Sequence, residues 1–161
     1  MIVILMGVAG SGKTTIGQAL ADATGWEFTD ADSFHSEAAK EKMSRGEPLN
    51  DTDRAPWLQI IQKAITQWLE EEKNVILACS ALKASYRQIL YCDHPHVHLV
   101  YLKGSYELID RRLRNRLGHF MKAGLLESQF KALEEPTQAE AIYIDISQNL
   151  EVIIQEIKNY L

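Results

Sequence analysis

Gly7-Val8-Ala9-Gly10-Ser11-Gly12-Lys13-Thr14 follows directly on the apolar run Ile2-Val3-Ile4-Leu5-Met6, and this stretch decides the fold. Its spacing is that of a strand, a glycine-rich loop and the first turn of a helix. The glycines let the backbone turn through positive φ and come close to an anion. Successive N–H groups, with a helix N-terminus behind them, then surround phosphate oxygens. Gly7, Ala9, Gly10, Ser11, Gly12, Lys13, Thr14 and Thr15 accordingly read as the cradle of a nucleoside triphosphate. Lys13 reaches the β- and γ-phosphates, and Thr14 offers its hydroxyl to the Mg²⁺ that accompanies them.

The chain has 161 residues, a length that suits one domain with a sizeable core. Its net charge of −5 argues against a general nucleic-acid binder, although Arg111 to Arg116 form a local basic cluster. Cys79 and Cys92 are too few for a disulfide framework and point to a reducing compartment. The apolar run before Gly7 is too short for a signal-peptide core, and no run approaches a membrane span. A soluble, cytoplasmic protein with a small-molecule substrate, and neither nucleic acid nor membrane as partner, is expected.

Strand-like runs at Ile2 to Met6, Val75 to Cys79, Val97 to Leu102 and Ala141 to Ile146, with a shorter one at Glu27 to Thr29, alternate with helical patterns. This alternation predicts an α/β fold, a mostly parallel five-stranded sheet wrapped on both faces. Helices are expected at Lys13 to Ala23, Glu37 to Arg45, Trp57 to Glu71, Ser85 to Leu90, Tyr106 to Arg116, Leu126 to Leu133 and Leu150 to Tyr160. Trp57, Ile60, Ile61, Ala64, Ile65, Trp68 and Leu69 recur at helical spacing and read as a core-facing stripe. Loops at the carboxyl ends of the strands are where a ligand would gather.

Asp30-Ala31-Asp32 follows the second strand. Beside a phosphate loop, Asp30 suits the Mg²⁺ shell, through water, and Asp32 suits the base that orients and deprotonates an attacking hydroxyl. Helix capping by Asp32 or Ser33 is the competing use. Glu47 to Arg54 is turn-rich and polar; Arg54 either clamps a substrate carboxylate through paired hydrogen bonds or pairs with Asp51 or Asp53 at the surface. Lys83 and Arg87, one helical turn apart beyond the third strand, present two positive charges to one ligand. Arg112 and Arg116 share a helical face and would stabilise charge on a transferring phosphoryl group. The run Cys92-Asp93-His94-Pro95-His96-Val97-His98 lacks a completing ligand and reads as a turn into a strand rather than a zinc site.

Taken in order, these segments resemble the small P-loop gluconate kinases, relatives of shikimate and adenylate kinases. The resemblance rests on the phosphate loop, Asp30-Ala31-Asp32 with His35, Lys42-Met43, Gly46 with Pro48-Leu49-Asn50-Asp51, and Asp53-Arg54 with Pro56-Trp57-Leu58. It continues through Cys79-Ser80-Ala81-Leu82-Lys83 with Tyr86-Arg87, Arg112-Leu113, Arg116 and Gly118-His119-Phe120, then Gln129-Phe130 and Leu133-Glu134 with Pro136. It implies a three-layer α/β/α fold over residues 1–161, ATP-dependent phosphorylation of the 6-hydroxyl of D-gluconate, a mobile lid over about residues 114–125, and a homodimer. It also implies that His35, Arg54, Lys83, Arg87 and His119 contact the acceptor together with Asp32. Ser36 stands where proline is usual in such kinases and Ala39 where asparagine is usual, both in the helix that follows Asp32; if that asparagine contacts substrate in relatives, Ala39 bears on acceptor preference. A GTP-hydrolysing switch would carry an Asn-Lys-x-Asp base-reading motif, which this chain does not contain.

Overall fold

The computed structural model describes residues 1–116 and 124–161. Five strands form one parallel sheet: β1 (Ile2–Met6), β2 (Glu27–Asp30), β3 (Val75–Ala78), β4 (Val97–Lys103) and β5 (Ile142–Asp145). Their spatial order is β2-β3-β1-β4-β5. Seven helices are described: α1 (Lys13–Thr24), α2 (Glu37–Ser44), α3 (Asp51–Glu70), α4 (Ala84–Ile89), α5 (Tyr106–Asn115), α6 (Leu125–Ala132) and α7 (Leu150–Lys158). A 3₁₀ turn, Ala31–Phe34, joins β2 to α2.

Every residue of β1 is buried, as a central parallel strand covered on both faces requires. Alternation along it feeds two cores. Ile2, Ile4 and Met6 pack with Trp57, Leu58, Ile61 and Ile65 of α3 and with Leu90. Val3 and Leu5 face the other way, onto Ile16 and Leu20 of α1, Ile109 of α5, and Ile153 and Ile157 of α7. Each such aliphatic side chain contributes about 1.5–3 kcal/mol by leaving water, so both layers are held to the sheet through the same strand. β1 pairs with β3 on one side and β4 on the other. The chain reverses its direction of travel across the sheet there, and the carboxyl ends of these strands frame a crevice.

One boundary differs from expectation for a definite reason. α3 begins at Asp51, six residues ahead of Trp57, because Asn50 and Asp53 close a capping box: Asn50 Oδ1 accepts from Asp53 N at 2.8 Å and Asp53 Oδ2 accepts from Asn50 N at 2.9 Å. Pro56 lies inside this helix, although the sequence suggests a start beside it; it forgoes the bond to Thr52 O, and the exposure of both residues leaves that carbonyl open to water. The polar segment Glu47 to Arg54 is thus half loop and half helix. Ser36 caps α2, its Oγ accepting from Ala39 N at 3.1 Å, so that serine ends the turn by hydrogen bonding where a proline would do so by its fixed φ.

Candidate active site

The phosphate loop is bent by its glycines. Gly10 at φ 79° and Gly12 at φ 98° lie in the left-handed region, where a side chain would be strained. A Cβ at Gly10 would also meet Leu113 Cγ at 2.7 Å, so the loop passes directly beneath α5. Gly12 precedes α1 without a side-chain cap; the first-turn amides of α1 are left for an anion. Lys13 Nζ donates to Gly7 O at 2.9 Å and Val8 O at 3.1 Å. Burial lowers the Lys13 pKa, opposed by Asp32, Cys79 and Asp30. Ser11 is fully buried and its hydroxyl has no partner among the described residues.

One cavity of about 480 Å³ gathers most of the expected chemistry: Ala9, Gly10, Gly12, Lys13, Thr14, Thr15, Asp30, Asp32, His35, Arg54 and Arg116 all line it. At one end Thr14 Oγ1 donates to Asp30 Oδ2 at 3.2 Å. The other Asp30 oxygen accepts from Asp32 N at 2.9 Å, so Asp30 caps the 3₁₀ turn and the Asp32 carboxylate is not spent as a cap. Enclosure in the cleft, then the Asp30 charge, raise the Asp32 pKa, while Lys13 and His35 pull it down. The Asp32 side chain is 80% accessible, so water tempers the first of these effects.

His35 Nε2 lies 3.7 Å from Asp32 Oδ1. Its ring stacks on Trp57 at 4.2 Å, 13° from parallel, and Trp57 Nε1 donates to Ala31 O at 2.8 Å. His35 Nδ1 is buried without a partner among the described residues. Burial lowers the His35 pKa, with Asp32 as the chief opposing charge. Trp57 therefore serves both as core and as the platform for a cavity residue, a double use that its helical spacing does not reveal.

The cations beyond β3 divide. Asp53 pairs with Lys42 at 2.8 Å and Asp51 with Lys83 at 2.9 Å, which leaves Arg54 outside both pairs. Arg54 Nη1 donates to Tyr86 Oη at 3.3 Å, its guanidinium stands 5.7 Å from the Tyr86 ring centre, and it faces the cavity. Tyr86 in turn donates to Asp51. That bond and the Lys83 bond lower the Asp51 pKa. Lys83 and Arg87 do not face one ligand. Arg87 is 5% exposed, and its Nη1 donates to Ala81 O at 2.9 Å and Leu82 O at 3.2 Å. It fixes the turn after β3 and borders a separate cavity with Gln88, Cys92 and His94.

Arg112 and Arg116 stand where α5 overhangs the loop. A third cavity of about 220 Å³ joins them to Gly10, Gly12, Thr15, Leu113, Ile146, Gln148 and Ile153. Arg112 Nη2 donates to Ile146 O at 2.6 Å, and Arg116 reaches both cavities. Ile146 and Gln148 carry no motif by which sequence could single them out. Gln129 is another cavity residue without an expected role, with Oε1 accepting from Ala9 N at 2.6 Å. His119 and most of the expected lid lie outside the described residues.

Among the described residues no three His, Cys, Asp or Glu side chains gather to hold a metal. Cys92 to His96 instead turn into β4, where His94 Nδ1 accepts from His96 N at 3.0 Å. Thr14 and Asp30 still fit Mg²⁺, which takes one or two protein ligands and completes its shell with phosphates and water. Among those residues no helix is long and apolar enough to cross a membrane.

The model of the family described as shikimate kinase matches residues 9–159. A probable gluconokinase of Dictyostelium discoideum is 45% identical over 172 residues, covering 100% of this chain and 86% of that protein. A crystal structure of a gluconokinase from Sinorhizobium meliloti superposes with a TM-score of 0.83 at 40% identity, over 96% of this chain and 87% of that one. An unliganded sugar kinase from Janibacter superposes with a TM-score of 0.91 at 42% identity, over 99% and 92% of the two chains.

Proposed function

This chain belongs to the gluconokinases of the shikimate kinase family, and we propose that it uses ATP to phosphorylate D-gluconate at its 6-hydroxyl. The carrying observation is the single cavity onto which the phosphate loop, both aspartates and Arg54 open. It brings a phosphoryl donor site, a base and a carboxylate clamp to one place.

The acceptor hydroxyl oxygen attacks the γ-phosphorus in line, the bond from that phosphorus to the ADP oxygen breaks, and the hydroxyl proton passes to Asp32. A raised pKa suits Asp32 to that transfer, since a base nearer the working pH holds its proton more firmly. Arg54 holds the acceptor carboxylate through its planar fork. Lys13 leaves the carbonyls of Gly7 and Val8 for the β- and γ-phosphates, while Arg116 covers the charge spread over the phosphoryl oxygens. Arg112 and the cavity beside Ile146 and Gln148 take the nucleoside. Thr14 and Asp30 would hold Mg²⁺, which when bound would neutralise phosphate charge. His35 buttresses Asp32 rather than titrating during turnover. A lid over about 114–125, with His119 on the acceptor, and a homodimer rest on the family resemblance; a cytoplasmic location rests on the sparse cysteines.

The test is ATP consumption coupled to 6-phosphogluconate formation with Mg²⁺ and D-gluconate, beside shikimate, glucose and a no-acceptor control. Turnover dependent on gluconate is expected. Turnover only with another acceptor would overturn the substrate and turn attention to Ala39, which is buried in α2. ATP consumption indifferent to all acceptors would overturn the kinase itself.

A further inference from the structure

Among the described residues, the cavity-lining side chain of Gln129 bonds to a backbone amide of the phosphate loop from a distant part of the chain. It sits on α6, 120 residues from Ala9 in sequence. Leu126 and Phe130 of that helix pack into the core beneath α1 and α5, so α6 is a fixed base for the side chain. The bond determines which way the amide faces. Ala9 N–H is a donor, and only the carbonyl oxygen of Gln129 can accept from it. Oε1 is therefore turned to the loop, and the amide nitrogen with its two donors is turned away from it. No bond from that nitrogen is made among the described residues, although the residue lines the same cavity as Lys13, Asp32 and Arg116.

We propose that Gln129 is a further catalytic residue: its Oε1 is anchored on Ala9 N–H so that its Nε2 donates to an oxygen of the γ-phosphoryl group as that group passes to the acceptor. This inference rests on the phosphotransfer reading of the site. A neutral donor complements Lys13 and Arg116 there. It adds a hydrogen bond to the moving phosphoryl group without adding a fixed positive charge that would also hold the product. ADP has no γ-phosphate, so the contact is specific to the triphosphate and to the transition state.

The two ends of the amide can be separated by mutation. Gln129→Glu keeps an oxygen that accepts from Ala9 N–H but replaces the donor with a negative oxygen; Gln129→Leu removes both ends. ATP and ADP affinities of both variants would be measured by calorimetry with Mg²⁺ and no acceptor, alongside kcat and thermal melting. Both variants are expected to bind ATP about ten- to a hundredfold more weakly, the worth of a hydrogen bond to a charged group, with ADP affinity unchanged and kcat reduced. Retention of full ATP affinity and kcat by Gln129→Glu would reduce the residue to a tether and overturn the proposal. Equal losses for ATP and ADP would also overturn it, as a distortion of the loop. If Gln129→Leu fails to fold, the near-isosteric Gln129→Glu decides alone. Because nucleotide binding needs no acceptor, wild-type inactivity on gluconate would refute the proposed substrate without touching this result.

Discussion

Asp32 is held in a state its surroundings resist. Enclosure and the neighbouring Asp30 raise its pKa, so in the folded protein it is harder to ionise than in the unfolded chain. The ionised side chain therefore opposes folding near neutral pH, weakly because water reaches most of it, and the opposition fades as pH falls into the carboxylate range. Asp32→Asn is expected to lower kcat by about 10²–10⁴-fold while raising Tm near neutral pH, with the gain shrinking towards about pH 4; kinetics and melts across that range check both halves. His35 behaves in the opposite sense. Its pKa lies below the ordinary 6.5, so the unfolded chain takes up the proton first. Its contribution to stability is complete above that value and drains away as pH falls beneath it. His35→Phe, which keeps a ring on Trp57, should flatten the slope of Tm against pH between about 7 and 5; an unchanged slope would assign the acid sensitivity elsewhere. At this scale the sequence was legible where chemistry and spacing are both local, as in Gly7 to Thr14 and Asp30 to Asp32. It was not legible for Lys83 and Arg87. Helical spacing says that two cations lie near each other, but not that one will be claimed by Asp51 and the other by backbone carbonyls.

Secondary structure follows sequence periodicity wherever one face is buried. All five strands and all seven helices fall close to their expected positions. The early start of α3 escaped because proline is usually a boundary, while the Asn50–Asp53 capping box that outweighs it is a reciprocal pair of bonds whose formation depends on backbone geometry. The packing of α1 on β2 makes a sharper demand. A Cβ at Gly17 would lie 2.2 Å from Phe28 Cε1. Helix propensity alone favours alanine there by about 1 kcal/mol; overpacking costs about 1–3 kcal/mol and prevails. Gly17→Ala is expected to lower Tm and, because α1 carries Lys13 and Thr14, to raise KM for ATP more than for the acceptor. A melt at or above wild type would show that Phe28 yields freely.

The whole molecule is two apolar layers sharing one sheet. Ile4 belongs to the layer that holds Trp57, and Leu5 to the layer against which Trp26 packs. Ile4→Ala and Leu5→Ala are each expected to cost about 2–5 kcal/mol. Both should shift one common unfolding transition, with tryptophan fluorescence and far-ultraviolet circular dichroism coincident; separation of the two probes would mean that the layers unfold apart. The α/β class was legible from alternating patterns. The order β2-β3-β1-β4-β5 was not, because periodicity specifies which face a strand buries and leaves open which strand lies beside it. That order has a consequence during synthesis. The partners of β1 follow it by more than seventy residues in the chain. At about 5–20 residues per second, the ribosome releases this run of five apolar side chains several seconds before either partner emerges. The strand most deeply enclosed in the finished protein is therefore the one left longest uncovered in the nascent chain, and the natural place for a chaperone to take hold.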